Sequence, residues 1–127
     1  MEQAPKQRRF LTEEKAEFWV LNVRRRVGVA RCDEGLRDQI RRASASVLLN
    51  IAEGAGYRSP RAQSRHYIIA RASLAETLAA LRLLRGEGGL DDATFTELQT
   101  GADEISRMLW GLLRAANGVA GDKKRHH

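Results

Sequence analysis

Four stretches of this chain place apolar residues three and four positions apart, and glycine, proline or aspartate punctuates the junctions between them. That spacing lays a stripe along one side of a helix, whereas a half-buried strand alternates every second residue. The first stretch runs from Thr12, read as an N-cap, to about Val27, with Ala16, Trp19, Val20, Val23 and Val27 in its stripe. The second runs from about Arg37 to Gly54 on Ile40, Ala43, Val47 and Ile51, with Gly54 and Gly56 as candidates for a left-handed C-terminal cap. Ser59-Pro60 is a strong start signal for the third, which continues through Tyr67, Ala70, Leu74, Leu78 and Leu81 to the stop at Gly86-Glu87-Gly88-Gly89. Asp91 or Asp92 caps the fourth, built on Phe95, Leu98, Ala102, Ile105, Leu109, Leu112, Leu113 and Ala116. Short connections make successive helices antiparallel, so the expected fold is all-α, an antiparallel up-down-up-down four-helix bundle.

The expected organisation is a flexible basic arm over 1–11, the bundle domain over 12–118, and a disordered basic tail over 119–127. His126 and His127 at its end resemble a purification-tag remnant. At 127 residues one domain can bury a real core without staples. The single cysteine, Cys32, excludes an internal disulfide and fits a reducing compartment. No apolar run nears the ~20 residues that span a bilayer. The polar start lacks the apolar stretch of a secretion signal. The expected location is cytoplasmic, away from membranes.

The net charge of +6 is unevenly placed: residues 22–71 carry eleven arginines against four acids, and both termini are basic. Arginine suits planar, bidentate contact with phosphate. A GC-rich genome also writes arginine for lysine, so composition alone leaves both explanations open. In an up-down bundle the ends of helices two and four lie with the starts of helices one and three. Arg58, Arg61 and Arg65 thereby meet both basic tails, including Lys123, Lys124 and Arg125. Such an end is an electrostatic footprint for a polyanion. Only Tyr57 and Tyr67 are aromatic nearby, too few for sequence-specific reading of a single strand.

Apolar residues also lie off the main stripes. Phe18 and Leu21 leave the first stripe, and Ala45, Leu48, Leu49 and Ala52 leave the second. In the third helix Ile68, Ile69, Leu83 and Leu84 lie outside the main row. A small monomeric bundle should keep one side of each helix wet. Three helices breaking the pattern together point to a second buried surface made by another copy of the chain, with Phe18, Leu21, Ala45, Leu48, Leu49, Ala52, Ile69 and Leu83 as its candidate residues.

A polar row, Gln39, Arg42, Ser46, Asn50 and Glu53, runs beside the apolar stripe of the second helix. Folding helices two and three back about Tyr57 sets Gln39 opposite Glu76, Arg42 opposite Ser73 and Asn50 opposite Arg65. Such a row reads as a structural network fixing helix register, with Glu76 held between Gln39 and Arg42 or Arg41. Catalysis would need groups of tuned pKa converging on a pocket, and nothing in the spacing requires one. His66 is the only histidine outside the tail, so no histidine pair can hold zinc. The glycine-rich 86–89 segment lacks the neighbouring strand of a phosphate-cradling loop. No catalytic residue, metal or cofactor is implied.

The run from Leu36 to Ser46, continuing through Asn50-Ile51-Ala52-Glu53-Gly54, together with Tyr67 to Glu76, resembles a known family: the four-helix bundle proteins encoded in intervening sequences of bacterial 23S ribosomal RNA genes. The resemblance is strongest over residues 36–85. Ala72 departs from it, standing where the family usually has glycine. The resemblance implies small bundles that form rings, typically of five subunits, with shared polar positions at Gln39, Ser46, Asn50, Glu53, Ser73 and Glu76. A related branch, the accessory proteins of diversity-generating retroelements, implies basic rings that bind nucleic acid and a reverse transcriptase. The expected protein is a non-enzymatic, ring-forming bundle that contacts RNA or DNA, RNA in preference, through phosphates. An adaptor or scaffold without nucleic acid is the alternative, and an orphan enzyme a remote one.

Overall fold

The computed structural model describes residues 6–125, with side chains described as far as Gly118. It comprises α1 (Lys6–Val29), α2 (Glu34–Ala55), α3 (Pro60–Gly86) and α4 (Asp92–Arg125), and no strand occurs among the described residues. Each helix packs on its two neighbours around a square: α1 on α2, α2 on α3, α3 on α4, and α4 back on α1. That closed order is the up-down-up-down bundle. The α2–α3 seam is the most extensive and the α1–α4 seam the least.

Local chemistry sets the helix ends. The Asp33 carboxylate accepts the Leu36 N–H at 2.9 Å and opens α2. The Ser59 hydroxyl accepts from the Ala62 N–H, and Pro60 occupies the first turn of α3, where its missing N–H costs nothing. Asp91 rather than Asp92 caps α4, taking the Thr94 N–H at 2.7 Å. Gly88, at φ 88°, is the sole positive-φ residue among those described, and it turns the chain out of α3.

Three boundaries differ from the sequence expectation. The first helix starts at Lys6, inside the stretch read as an arm. Thr12 lies within it, fully buried, its hydroxyl donating to the Arg8 carbonyl one turn back at 2.8 Å instead of capping. The helical backbone of α4 continues past Gly118 to Arg125. Gly54 and Gly56 are not left-handed caps: Gly54 is buried inside α2, and Gly56 has φ −81°. The need for glycine at 54 is steric, because a Cβ there would sit 2.6 Å from Cε1 of Tyr67.

The stripes meet in one core. Val23, Val27, Ile40, Val47, Ile51, Tyr67, Leu81, Leu98, Ile105 and Leu109 are buried, as is Leu84, which the helical wheel had placed off the main row. Trp19 closes the α1–α4 seam, its indole donating to the Leu98 carbonyl at 2.9 Å while its ring lies over Gly101. Beside it Asn22 donates to Glu97 at 3.0 Å, and Arg26 pairs with the same carboxylate at 3.0 Å. No helix among the described residues is long and apolar enough to cross a membrane.

Candidate nucleic-acid interface

The starts of α1 and α3 and the ends of α2 and α4 share one end of the bundle. Several contacts show how closely they meet. Ser64 of α3 donates to Asn117 of α4 at 3.1 Å, and the α2 glycine Gly54 abuts Tyr67 and His66 of α3. Arg9 and Glu13 of α1 lie near enough to act on the Tyr67 phenol, whose ionisation burial pushes up. This end therefore gathers Lys6, Arg8 and Arg9 with Arg58, Arg61 and Arg65. Arg61 and Arg65 stand four positions apart, on one side of α3. Both are exposed, and neither takes an acid or other protein partner among the described residues. The side chains of Lys123, Lys124 and Arg125, proposed for the same surface, lie outside the described residues, as do His126 and His127.

The two tyrosines of this end separate. Tyr67 is buried to 1% exposure, and its hydroxyl has no hydrogen-bond partner among the described residues. Tyr57 is 44% exposed in the α2–α3 turn, its ring stacked on His66 with centroids 5.2 Å apart and planes inclined by 11°. A cleft of about 230 Å³ opens beside that stack, lined by Tyr57, Ser59, Arg61, Ala62, Arg65 and His66.

Running up from this cleft is the polar row, on the α2–α3 seam. Gln39 donates to Glu76 at 3.0 Å, the pairing expected from the fold-back register. Ser46 and Ser73 share a hydrogen bond of 2.7 Å. Asn50 donates to the Ser46 carbonyl at 2.9 Å and hydroxyl at 3.1 Å, and its Oδ1 meets His66 Nδ1 at 3.0 Å. Three expected details are not found. Ser73 meets Ser46 in place of Arg42, and Asn50 meets His66 in place of Arg65. Glu76 is exposed and takes no arginine among the described residues. Arg42 and Glu53 are exposed and join no network among the described residues. The cause is helical rotation: at 100° per residue a step of three turns the row backward and a step of four forward. Arg42 and Glu53 thereby fall on the outer edge of the row, and Gln39, Ser46 and Asn50 on its inner edge.

Of the proposed self-association residues, Phe18, Leu21, Leu49, Ile69 and Leu83 are exposed, Phe18 to 67% and Leu49 to 62%. Ala45, Leu48 and Ala52 are half-buried, and Leu48 packs against the monomer's own core. Sequence reasoning passed over Phe10, Leu11, Val29 and Trp110, all exposed, the last lying under the Arg71 guanidinium at 4.2 Å. It weighed His66 only as a metal ligand, since a lone histidine has no partner spacing to mark another role. Cys32 donates to the Asp33 carbonyl, and burial pushes its thiol up, away from the reactive thiolate. No three His, Cys, Asp or Glu side chains cluster as metal ligands among the described residues.

Compared with known proteins, residues 14–111 match the family model described as 23S rRNA-intervening sequence protein. The match takes in all of α2 and α3 and parts of α1 and α4, and includes Arg58, Arg61 and Arg65, while the terminal basic residues fall outside it. No curated protein gives a significant match.

Proposed function

Because the chain belongs to the 23S rRNA-intervening sequence protein family, we propose that it is a non-enzymatic, self-associating bundle whose basic end holds nucleic acid, RNA before DNA, through phosphates. The observation that carries this is the pair Arg61 and Arg65: exposed, on one side of α3, and without acid partners among the described residues, at the end where the topology also brings Lys6, Arg8, Arg9 and Arg58. Guanidinium groups not already paired within the chain can take phosphate oxygens without first breaking an internal bond. Self-association is supported by Phe18, Leu21, Leu49, Ile69 and Leu83, large side chains exposed on three helices. Resemblance makes a five-membered ring the first expectation. Several copies would then present the same basic end to one strand, multiplying a weak contact.

Salt is the discriminating variable. If phosphates are held, log K falls by about 0.7 per phosphate contacted on single strands, or about 0.9 on duplex DNA, per decade of salt. Replacing Arg58, Arg61 and Arg65 together by Ser should weaken binding to all sequences alike and flatten that slope. Mobility-shift titrations at two salt concentrations, on protein whose assembled mass is checked by light scattering, test both parts. Absence of binding at low salt, or binding untouched by the replacement, would favour a protein–protein adaptor that uses the apolar faces. A mass of 14.2 kDa across dilution would refute self-association.

A further inference from the structure

Resting on the assignment of the basic end to nucleic acid, we propose that the cleft between the α2–α3 turn and the start of α3 is a site for one unpaired nucleotide. Its base would stack on Tyr57 and its phosphate would sit on Arg61 and Arg65. The site thus selects single-stranded over duplex nucleic acid.

The stack is the first element. Tyr57 alone, on a turn, would be a mobile ring. His66 lies beneath it, its plane nearly parallel, and is itself anchored from below. Asn50 donates through Nδ2 to both Ser46 oxygens, so its Oδ1 is the atom that faces His66 and can only accept. His66 Nδ1 therefore carries the proton, the ring orientation is fixed, and Nε2 has no protein partner among the described residues. The polar row between α2 and α3 in this way holds a two-ring platform whose upper member, Tyr57, is 44% exposed.

The backbone beneath the platform is equally constrained. Gln63, buried at 3% exposure, donates to the Tyr57 carbonyl at 2.7 Å and ties the turn to α3. The Ser59 hydroxyl takes the Ala62 N–H and the Ser59 carbonyl takes the Gln63 N–H. The Arg61 N–H takes no partner among the described residues and lies at the positive end of α3.

Stacking surface, guanidiniums and a helix start thus converge on one cleft of about 230 Å³. That is below the ≈300–1,000 Å³ of a drug-sized pocket and suits a single base-sized group. A base inside a duplex has both faces covered by its neighbours and cannot use such a platform, whereas an unpaired base can. Stacking of this kind tolerates any base, so the site discriminates strandedness and not sequence.

The test is an anisotropy titration at one salt concentration with three labelled ligands of equal length: an oligouridylate, an abasic strand, and an RNA duplex. The parent should bind the oligouridylate most tightly. Tyr57→Ala should weaken oligouridylate binding by about 5- to 150-fold, the range one base–aromatic stack carries, and leave abasic and duplex binding unchanged. Tyr57→Phe should restore it. Since Tyr57 is 44% exposed and lies outside the core cluster, the Ala variant should melt close to the parent, which assigns a loss of affinity to the site. Equal affinity for oligouridylate and abasic strand, or a Tyr57→Ala variant that binds like the parent, overturns the nucleotide site while the phosphate contact stands. Absence of binding to all three ligands overturns the nucleic-acid assignment itself, and the nucleotide site with it.

Discussion

Replacing Gly54 by alanine should destabilise the bundle, although the same change inside a solvated helix stabilises one. Alanine is favoured over glycine in a helix interior by about 1 kcal/mol, because glycine loses more backbone freedom on folding. Against that gain stands the close approach of α3. A Cβ at position 54 would lie 2.6 Å and 3.0 Å from two carbons of the Tyr67 ring and 3.2 Å from Cβ of His66. Ordinary contact begins near 3.4 Å, so the ring or the helix must give by the better part of an ångström. The ring cannot swing clear, because Tyr67 is buried to 1% exposure among core side chains. Overpacking of this kind costs about 1–3 kcal/mol, and with the ring held by the core the upper part of that range applies, which leaves a net loss of up to roughly 2 kcal/mol after the propensity gain. For a chain of this length each kcal/mol moves Tm by roughly 3–6 °C. Gly111 supplies the control: it too lies inside a helix, but a Cβ there meets nothing within 4 Å. Gly111→Ala should therefore raise Tm, Gly54→Ala should lower it, and the opposite signs come from packing alone. Far-UV circular dichroism melts at one protein concentration measure both, concentration being fixed because self-association would otherwise shift Tm. A Gly54→Ala variant melting at or above the parent would refute the steric account of this glycine.

Glu76→Ala removes one exposed hydrogen bond from Gln39 and should cost no more than about 1 kcal/mol in urea unfolding. A loss of about 3 kcal/mol or more would mean that an arginine closes over the carboxylate after all. Asp91 gives a pH signature. The Thr94 backbone N–H, and secondarily its hydroxyl, hold the Asp91 carboxyl below its ordinary value. A folded pKa below the unfolded one contributes stability that is present above the ordinary carboxylate range, near pH 3.9, and lost as pH falls through the depressed value. The stability difference between parent and Asp91→Asn, measured by urea unfolding across a pH series, should shrink toward zero in acid. A difference that grew as pH fell would have the wrong sign for this cap.

The helices and their order were legible in the amino-acid sequence because both are written locally. Apolar residues at 3–4 spacing define a buried side wherever the helix later packs, and Ser59-Pro60 and Asp33 begin helices by bonds that reach only three residues. Short connections then leave antiparallel neighbours as the economical arrangement, and that topology alone gathers Arg58, Arg61 and Arg65 with the start of α1 at one end. The Gln39–Glu76 pairing was legible for the same reason, since one fold-back register fixes it.

What tertiary structure decided is everything that depends on distances between helices and on small rotations about their axes. Gly54 and Gly101 carry no local mark that separates a cap or an idle glycine from a surface on which Tyr67 or Trp19 lies, because the reason for glycine is a ring from another helix. Arg42 and Asn50 belong to one row in the sequence, yet a difference of about 80° around the helix leaves the first in solvent and places the second against His66. His66 was set one residue away from Asn50 by the same fold-back register, but its role was not legible, because only the packed bundle fixes the rotation that brings Asn50 and Tyr57 against it beside Arg61 and Arg65 of its own helix.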